Sequence, residues 1–185
     1  MYDEDVSDNN NKVDKMVRHY PKPIIFIHWL TLLFVIAAYI SSGNPLYTGV
    51  QGQIHVACGI AIFLLFIIRL GFIVYHSNRL PKNEILNKIQ EVLFKTVRFL
   101  LYLCLLVVPL FGWLALSSLT DSFQLFNQNV PLFSLAKDFD FLGNIHQLLG
   151  NLFIALVGLH ASAALLHHFI LKDNVLKSML FHRYK

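Results

Sequence analysis

The sequence predicts an all-α integral membrane protein, a four-helix bundle with both termini in the cytoplasm. Three observations carry that prediction. Of the 185 residues 56% are hydrophobic and 14% charged, and the mean hydropathy is +0.56, far from the balance of a water-soluble domain of this length. Four segments stay apolar over the roughly 20 residues a helix needs to cross a hydrocarbon layer about 30 Å thick. The basic residues are also gathered on one side of the alternation those segments create.

Residues 1–20 are expected to form a disordered cytoplasmic head. The run from Tyr2 to Asn11 is acidic and amide-rich, with too little apolar surface to offset the entropy of ordering. It also lacks a signal peptide's basic start and cleavage site, so the first span is expected to stay in the mature protein. Residues 21–185 form the membrane domain, with spans expected at about Ile24 to Ser42, Gln53 to Tyr75, Val92 to Ser117 and Asn144 to Leu171. A short loop around Gly43 to Gly52 joins the first two, and a polar link from His76 to Glu91 joins the next two. In the longer loop from Thr120 to Leu142, Phe123, Phe126, Phe133, Phe139 and Phe141 alternate with polar groups. That pattern suits an interfacial amphipathic cap, a shield over a buried group, or a docking surface. The two cysteines, Cys58 and Cys104, fall inside spans and read as small apolar core residues.

Orientation follows from charge. All fifteen Lys and Arg residues except Lys137 precede span one, lie in or beside the link between spans two and three, or follow span four. Lys137 shares its side with Asp121, Asp138 and Asp140. Basic loops stay in the cytoplasm, which places both termini there. The same asymmetry explains a sequence pI near 9.1 by anchoring to anionic lipid, and leaves no reason to expect nucleic-acid binding.

Of nine histidines, His19, His76 and His182 fall outside the spans or at their edges, while six lie within apolar segments. An ionisable side chain in a span costs a few kcal/mol or more and needs a partner, a cavity or a cofactor. One such histidine is explained by a hydrogen bond between helices; six call for more. His55 and His146 begin spans two and four, so both lie near the non-cytoplasmic face and can meet across the bundle. His28 sits about one turn into span one from the cytoplasm, and its partner at that depth is His160. His146 and His160 are 14 residues apart, about 21 Å along a helix and about 40° off one face. One helix therefore presents ligands at two depths.

Neutral imidazole is an axial ligand of haem iron, and four-helix bundles hold cofactors between facing helices. Two pairs imply two stacked haems. With both axial positions filled on each iron, the arrangement suits electron transfer better than oxygen activation. Copper or zinc would need three or four converging ligands rather than two separated pairs. Arg69 follows His55 by the same 14 residues and faces the same interior at the opposite depth. A haem propionate is one partner for it, and snorkelling to the interface is the other reading. No span core holds an unambiguous buried Asp or Glu, so a proton pump gains no support. A haem-free scaffold or small transporter, its histidines hydrogen-bonded between helices, is the remaining class.

The stretches Ile27-His28-Trp29-Leu30, Ile54-His55-Val56-Ala57-Cys58-Gly59, Pro109-Leu110-Phe111-Gly112-Trp113, Ile145-His146-Gln147 and Gly158-Leu159-His160-Ala161 through His167-His168 resemble the bacterial cytochrome b561 family. The resemblance covers all four spans. It implies two haem b groups, one on His28 and His160 and the other on His55 and His146, the pairs that depth already gives. It further implies a bacterial inner-membrane oxidoreductase that takes electrons from periplasmic superoxide and passes them to ubiquinone. His167 and His168 match a pair near the family's quinone pocket, where an imidazole can hydrogen-bond a quinone oxygen or supply its proton. Adjacent residues differ by about 100° around a helix, and His167, seven residues beyond His160, is the better inward candidate. No catalytic residue is assigned.

Two features stand apart from this reading. The outward loops offer only Lys137 to an anion, although a positive entrance would speed capture of superoxide. Arg98 stands before Leu101 and Tyr102, where the family often has a histidine that is not one of the four ligands. The alternative function is an electron-transfer membrane subunit for a periplasmic dehydrogenase or hydrogenase partner.

Overall fold

Proline shows where the first span starts. Pro23 lies in the first turn of helix α1, Lys22–Ile40, where its missing N–H has no intrahelical acceptor to lose. The helix stops at Ser41, whose hydroxyl donates to the Ala37 carbonyl at 2.6 Å and so serves one of the acceptors left over at a helix end. The computed structural model describes residues 19–77, 88–136, 139, 141–172 and 175–181. In it α2 spans Val50–Tyr75, α3 Lys88–Leu119 and α4 Leu142–Leu166, and α4 continues as a π-helical turn, His167–Leu171. Each expected span coincides with one of these helices to within a few residues, and all four are long and apolar enough to cross a membrane. The head up to residue 18, link residues 78–87, Lys137, Asp138, Asp140, His182, Arg183 and Lys185 lie outside the described residues.

The helices are apolar nearly all round. Leu33 is 62% exposed, Ile40 and Val74 each 74%, and Ile89 77%, a surface that hydrocarbon solvates and water does not. Packing is tightest within the pairs α1–α2 and α3–α4, and α2 against α3 joins the two pairs. At mid-depth Val35, Ile62, Phe66, Leu105 and Phe153 form one buried cluster with a member from every helix.

The chain is mostly helical, with one departure from the all-α expectation among the described residues. Phe123–Leu125 and Gln128–Val130 pair antiparallel as strands β1 and β2, Phe123 opposite Val130. Phe126 and Asn127 turn between them with φ of 45° and 67°, the left-handed conformation that a two-residue hairpin turn requires. Asparagine accepts it readily and phenylalanine does not, so contacts elsewhere must hold the turn. The Phe126 N–H donates to Gln53 Oε1 at 2.9 Å, the Trp113 indole to the Pro131 carbonyl at 2.7 Å, and the Phe133 N–H to Ser117 Oγ at 3.1 Å. The aromatic loop is thus a folded cap tied to α2 and α3.

The loop before α2 presses closely on that helix. A Cβ at Gly52 would lie 2.6 Å from the Pro45 Cα and 2.8 Å from the Pro45 carbonyl oxygen, backbone atoms that cannot swing aside. Gly52→Ala is expected to destabilise the fold by about 1–3 kcal/mol, the usual range for overpacking, and to lower the thermal midpoint in detergent. An unchanged midpoint would show that the loop yields.

Candidate functional site

The topology brings the intramembrane histidines together in two facing pairs. His28 of α1 and His160 of α4 have ring centroids 6.4 Å apart with planes at 75°. His55 of α2 and His146 of α4 are 5.9 Å apart at 78°. These are the partners that depth alone selects. The second pair lies at the end of the bundle capped by the hairpin, since Gln53, two residues before His55, holds the Phe126 N–H.

At the capped end both rings are held from behind by backbone. His55 Nδ1 lies 2.8 Å from the Ala38 carbonyl, and His146 Nδ1 lies 3.1 Å from the Val108 carbonyl. A carbonyl only accepts, so each Nδ1 carries the proton and each Nε2 keeps its lone pair. Ala38 supplies one of the last carbonyls of α1, which a helix leaves short of partners. Val108 precedes Pro109, the proline inside α3, and Gly112 lies one turn beyond it. A Cβ at Gly112 would come within 2.9 Å of His146 Cε1 and 3.2 Å of its Nδ1. The imidazole reaches the Val108 carbonyl because α3 has no side chain there.

The other end is built differently. Arg69 Nη1 lies 3.1 Å from His28 Nδ1, and a guanidinium only donates, so this Nδ1 accepts. In that arrangement the proton sits on Nε2; ligation of a metal through Nε2 requires the opposite tautomer, with Nη1 turned to another acceptor. Arg69 has donor capacity for one: its Nε is enclosed without a hydrogen-bond partner. The guanidinium also lies 5.4 Å over the Tyr102 ring, which in turn packs 6.3 Å from Phe66 of the mid-depth cluster. Arg69 thus turns inward to His28 and Tyr102.

A bis-imidazole metal site fits these dimensions. With about 2 Å from metal to each nitrogen and about 1 Å more to each ring centre, opposed rings stand about 6 Å apart, as both pairs do. A Cβ at Gly150, one turn beyond His146, would meet nothing within 4 Å. Phe153 lies seven residues from both His146 and His160, and Ile62 seven from both His55 and Arg69. The mid-depth cluster therefore stands as an apolar wall between the two levels.

Beyond Leu166 the π-helical turn breaks the 3.6-residue spacing used to rank His167 over His168. Both are half-buried, and it is His168 whose Nδ1 is enclosed without a partner. The C-terminal turn Lys177–Met179 folds back over the same end: the Trp29 indole donates to the Met179 carbonyl at 2.9 Å, and the Tyr20 N–H to the Ser178 carbonyl at 3.0 Å. His76 has a simpler role, with Nδ1 3.0 Å from the Phe72 carbonyl at the end of α2.

Sequence reasoning missed Gly112, Tyr102 and the two carbonyl acceptors. The carbonyls leave no mark in a sequence. Gly112 did, in the stretch Pro109 to Trp113, but nothing in that stretch says which helix the glycine faces.

Residues 19–182 match the family model for prokaryotic cytochrome b561. The chain is 34% identical to the probable superoxide oxidase CybB of Yersinia pestis, across 84% of this chain and 92% of the relative. It is 30% identical to cytochrome b561 homolog 1 of Escherichia coli strain K12, across 89% of this chain and 98% of that one.

Proposed function

The chain belongs to the prokaryotic cytochrome b561 family of haem-binding membrane electron-transfer proteins, and on that premise we propose that it is a superoxide:ubiquinone oxidoreductase with two haem b groups. The observation that carries this reading is the pair of facing imidazole couples at two depths, 5.9 and 6.4 Å between ring centres. His55 and His146 ligate one haem, His28 and His160 the other, and Arg69 holds a propionate of the latter. Haem b, held by these imidazoles, would supply one-electron transfer.

Basic loops orient the chain in the bacterial inner membrane with both termini in the cytoplasm, so the hairpin-capped end faces the periplasm. Two superoxide ions leave as two molecules of oxygen, and their two electrons with two protons convert ubiquinone to ubiquinol. In this reading His167 and His168 hydrogen-bond the quinone oxygens and relay those protons. The name of the Yersinia relative supports superoxide as donor. The scarcity of cations at the outward end, together with exposed Phe126 and Phe133, supports a second reading, an electron-transfer subunit for a periplasmic dehydrogenase or hydrogenase.

The test is the purified full chain in detergent, with haem quantitation and reduced-minus-oxidised spectra under a superoxide flux. Two haems per chain, reduced by superoxide and reoxidised on adding ubiquinone, are expected. Two haems inert to superoxide would favour the subunit reading, and a colourless protein would end both.

A further inference from the structure

The two levels differ in what touches the imidazoles, and the difference has a sign. We infer that Arg69 makes the His28–His160 level the higher in reduction potential, so that an electron entering at His55 and His146 runs downhill toward the Arg69 end. The inference rests on the two-haem reading and adds to it an order of potentials.

A site that gains an electron becomes more negative by one charge, and a nearby fixed cation stabilises that state. Arg69 is such a cation. Its guanidinium stays protonated at any ordinary pH, lies 3.1 Å from His28, and has no carboxylate partner among the described residues. It sits in an apolar span, where a charge is felt more strongly than in water. With Nη1 on His28 Nδ1 that charge acts directly; turned to a haem carboxylate it would cancel the carboxylate's negative charge, which otherwise lowers the potential, so the sign is the same in either position. Two other described cations at this end are engaged elsewhere: Lys95 pairs with Glu91 at 2.6 Å, and Arg98 lies 5.4 Å over the Phe94 ring.

At the capped end the sign is opposite. His55 and His146 each give their Nδ1–H to a backbone carbonyl, at 2.8 and 3.1 Å. Such a bond raises the basicity of a metal-bound imidazole, which favours the oxidised metal and lowers the potential. Among the described residues no such carbonyl stands behind His28, whose Nδ1 faces the Arg69 guanidinium at 3.1 Å, a group that must turn away before Nε2 can ligate. A cation on one side and carbonyl acceptors on the other both tilt the potential the same way.

The experiment is an equilibrium redox titration of the full-length, two-haem protein followed by haem absorbance. Two midpoints are expected. His160→Ala should remove the upper one and His146→Ala the lower. Arg69→Gln should lower the upper midpoint by about 59 mV, a tenfold change for a one-electron couple, and leave the lower in place. Arg69→Lys should retain most of the upper value, and Arg98→Gln, at the same end but apart from the pair, should move neither. If Arg69→Gln does not fold, the two alanine variants still decide the order. A reversed order, or an Arg69→Gln shift shared equally by both midpoints or absent from both, overturns the inference while leaving the ligand pairs standing. Fewer than two haems in the wild type overturns the two-haem reading and this inference with it.

Discussion

Alanine at His160 is expected to halve the haem bound per chain and to abolish the bis-imidazole spectrum of one component while the other persists. The converse variant, His146→Ala, should lose the complementary half. The expectation of independence is as much structural as chemical. The two histidines lie 14 residues apart on α4, about 21 Å along the axis, well beyond the 7–10 Å within which substitutions usually couple. Between them stands the buried cluster of Val35, Ile62, Phe66, Leu105 and Phe153, which draws on every helix. With that wall intact, α4 keeps its place when one end loses its ligand. His28 and His55 should behave as their partners do, so that His28→Ala matches His160→Ala and His55→Ala matches His146→Ala. Haem quantitation and low-temperature difference spectra check all four. Full spectral retention in any one variant removes that residue from the ligand set, and loss of both components in a single variant shows that the wall does not isolate the ends.

The parts of this site that the sequence exposes are those governed by helical periodicity. Spacing on α4 and α2 places His146 with His160, and His55 with Arg69, without knowledge of any neighbour, because one helix fixes its own faces. Depth then pairs them across the bundle. What periodicity does not carry is the identity of the group behind each ring. Ala38 and Val108 act through carbonyls, and Tyr102 meets Arg69 only because α2 packs on α3 at a particular rotation. The hairpin escaped for a similar reason: Phe126 in a left-handed turn contradicts its own local preference and is held by Gln53, 73 residues away. Ranking His167 over His168 assumed an unbroken α-helix, and the π-helical turn removed the assumption.

Gly112→Ala separates local preference from tertiary constraint and is expected to go against the former. In a helix interior alanine is favoured over glycine by about 1 kcal/mol, so a glycine with free space beside it should gain stability on substitution. Gly158 is such a glycine, with nothing within 4 Å of its would-be Cβ, and Gly158→Ala should be neutral or stabilising by up to that amount. At Gly112 the added methyl meets His146 Cε1 at 2.9 Å. The ring is stiff, tied on one side to the Val108 carbonyl of the same α3 turn and on the other faced by His55 at 5.9 Å. It cannot retreat without lengthening the hydrogen bond or crowding its partner. Overpacking of this kind costs about 1–3 kcal/mol, and loss of the imidazole hydrogen bond about 1 kcal/mol more, together outweighing the helix preference. The expected result is a lower thermal midpoint with altered spectrum or occupancy confined to the His55–His146 component, the His28–His160 component serving as internal reference. A stabilised Gly112→Ala protein with both components unchanged would mean that His146 does not depend on the gap in α3, and that the glycine serves helix packing alone.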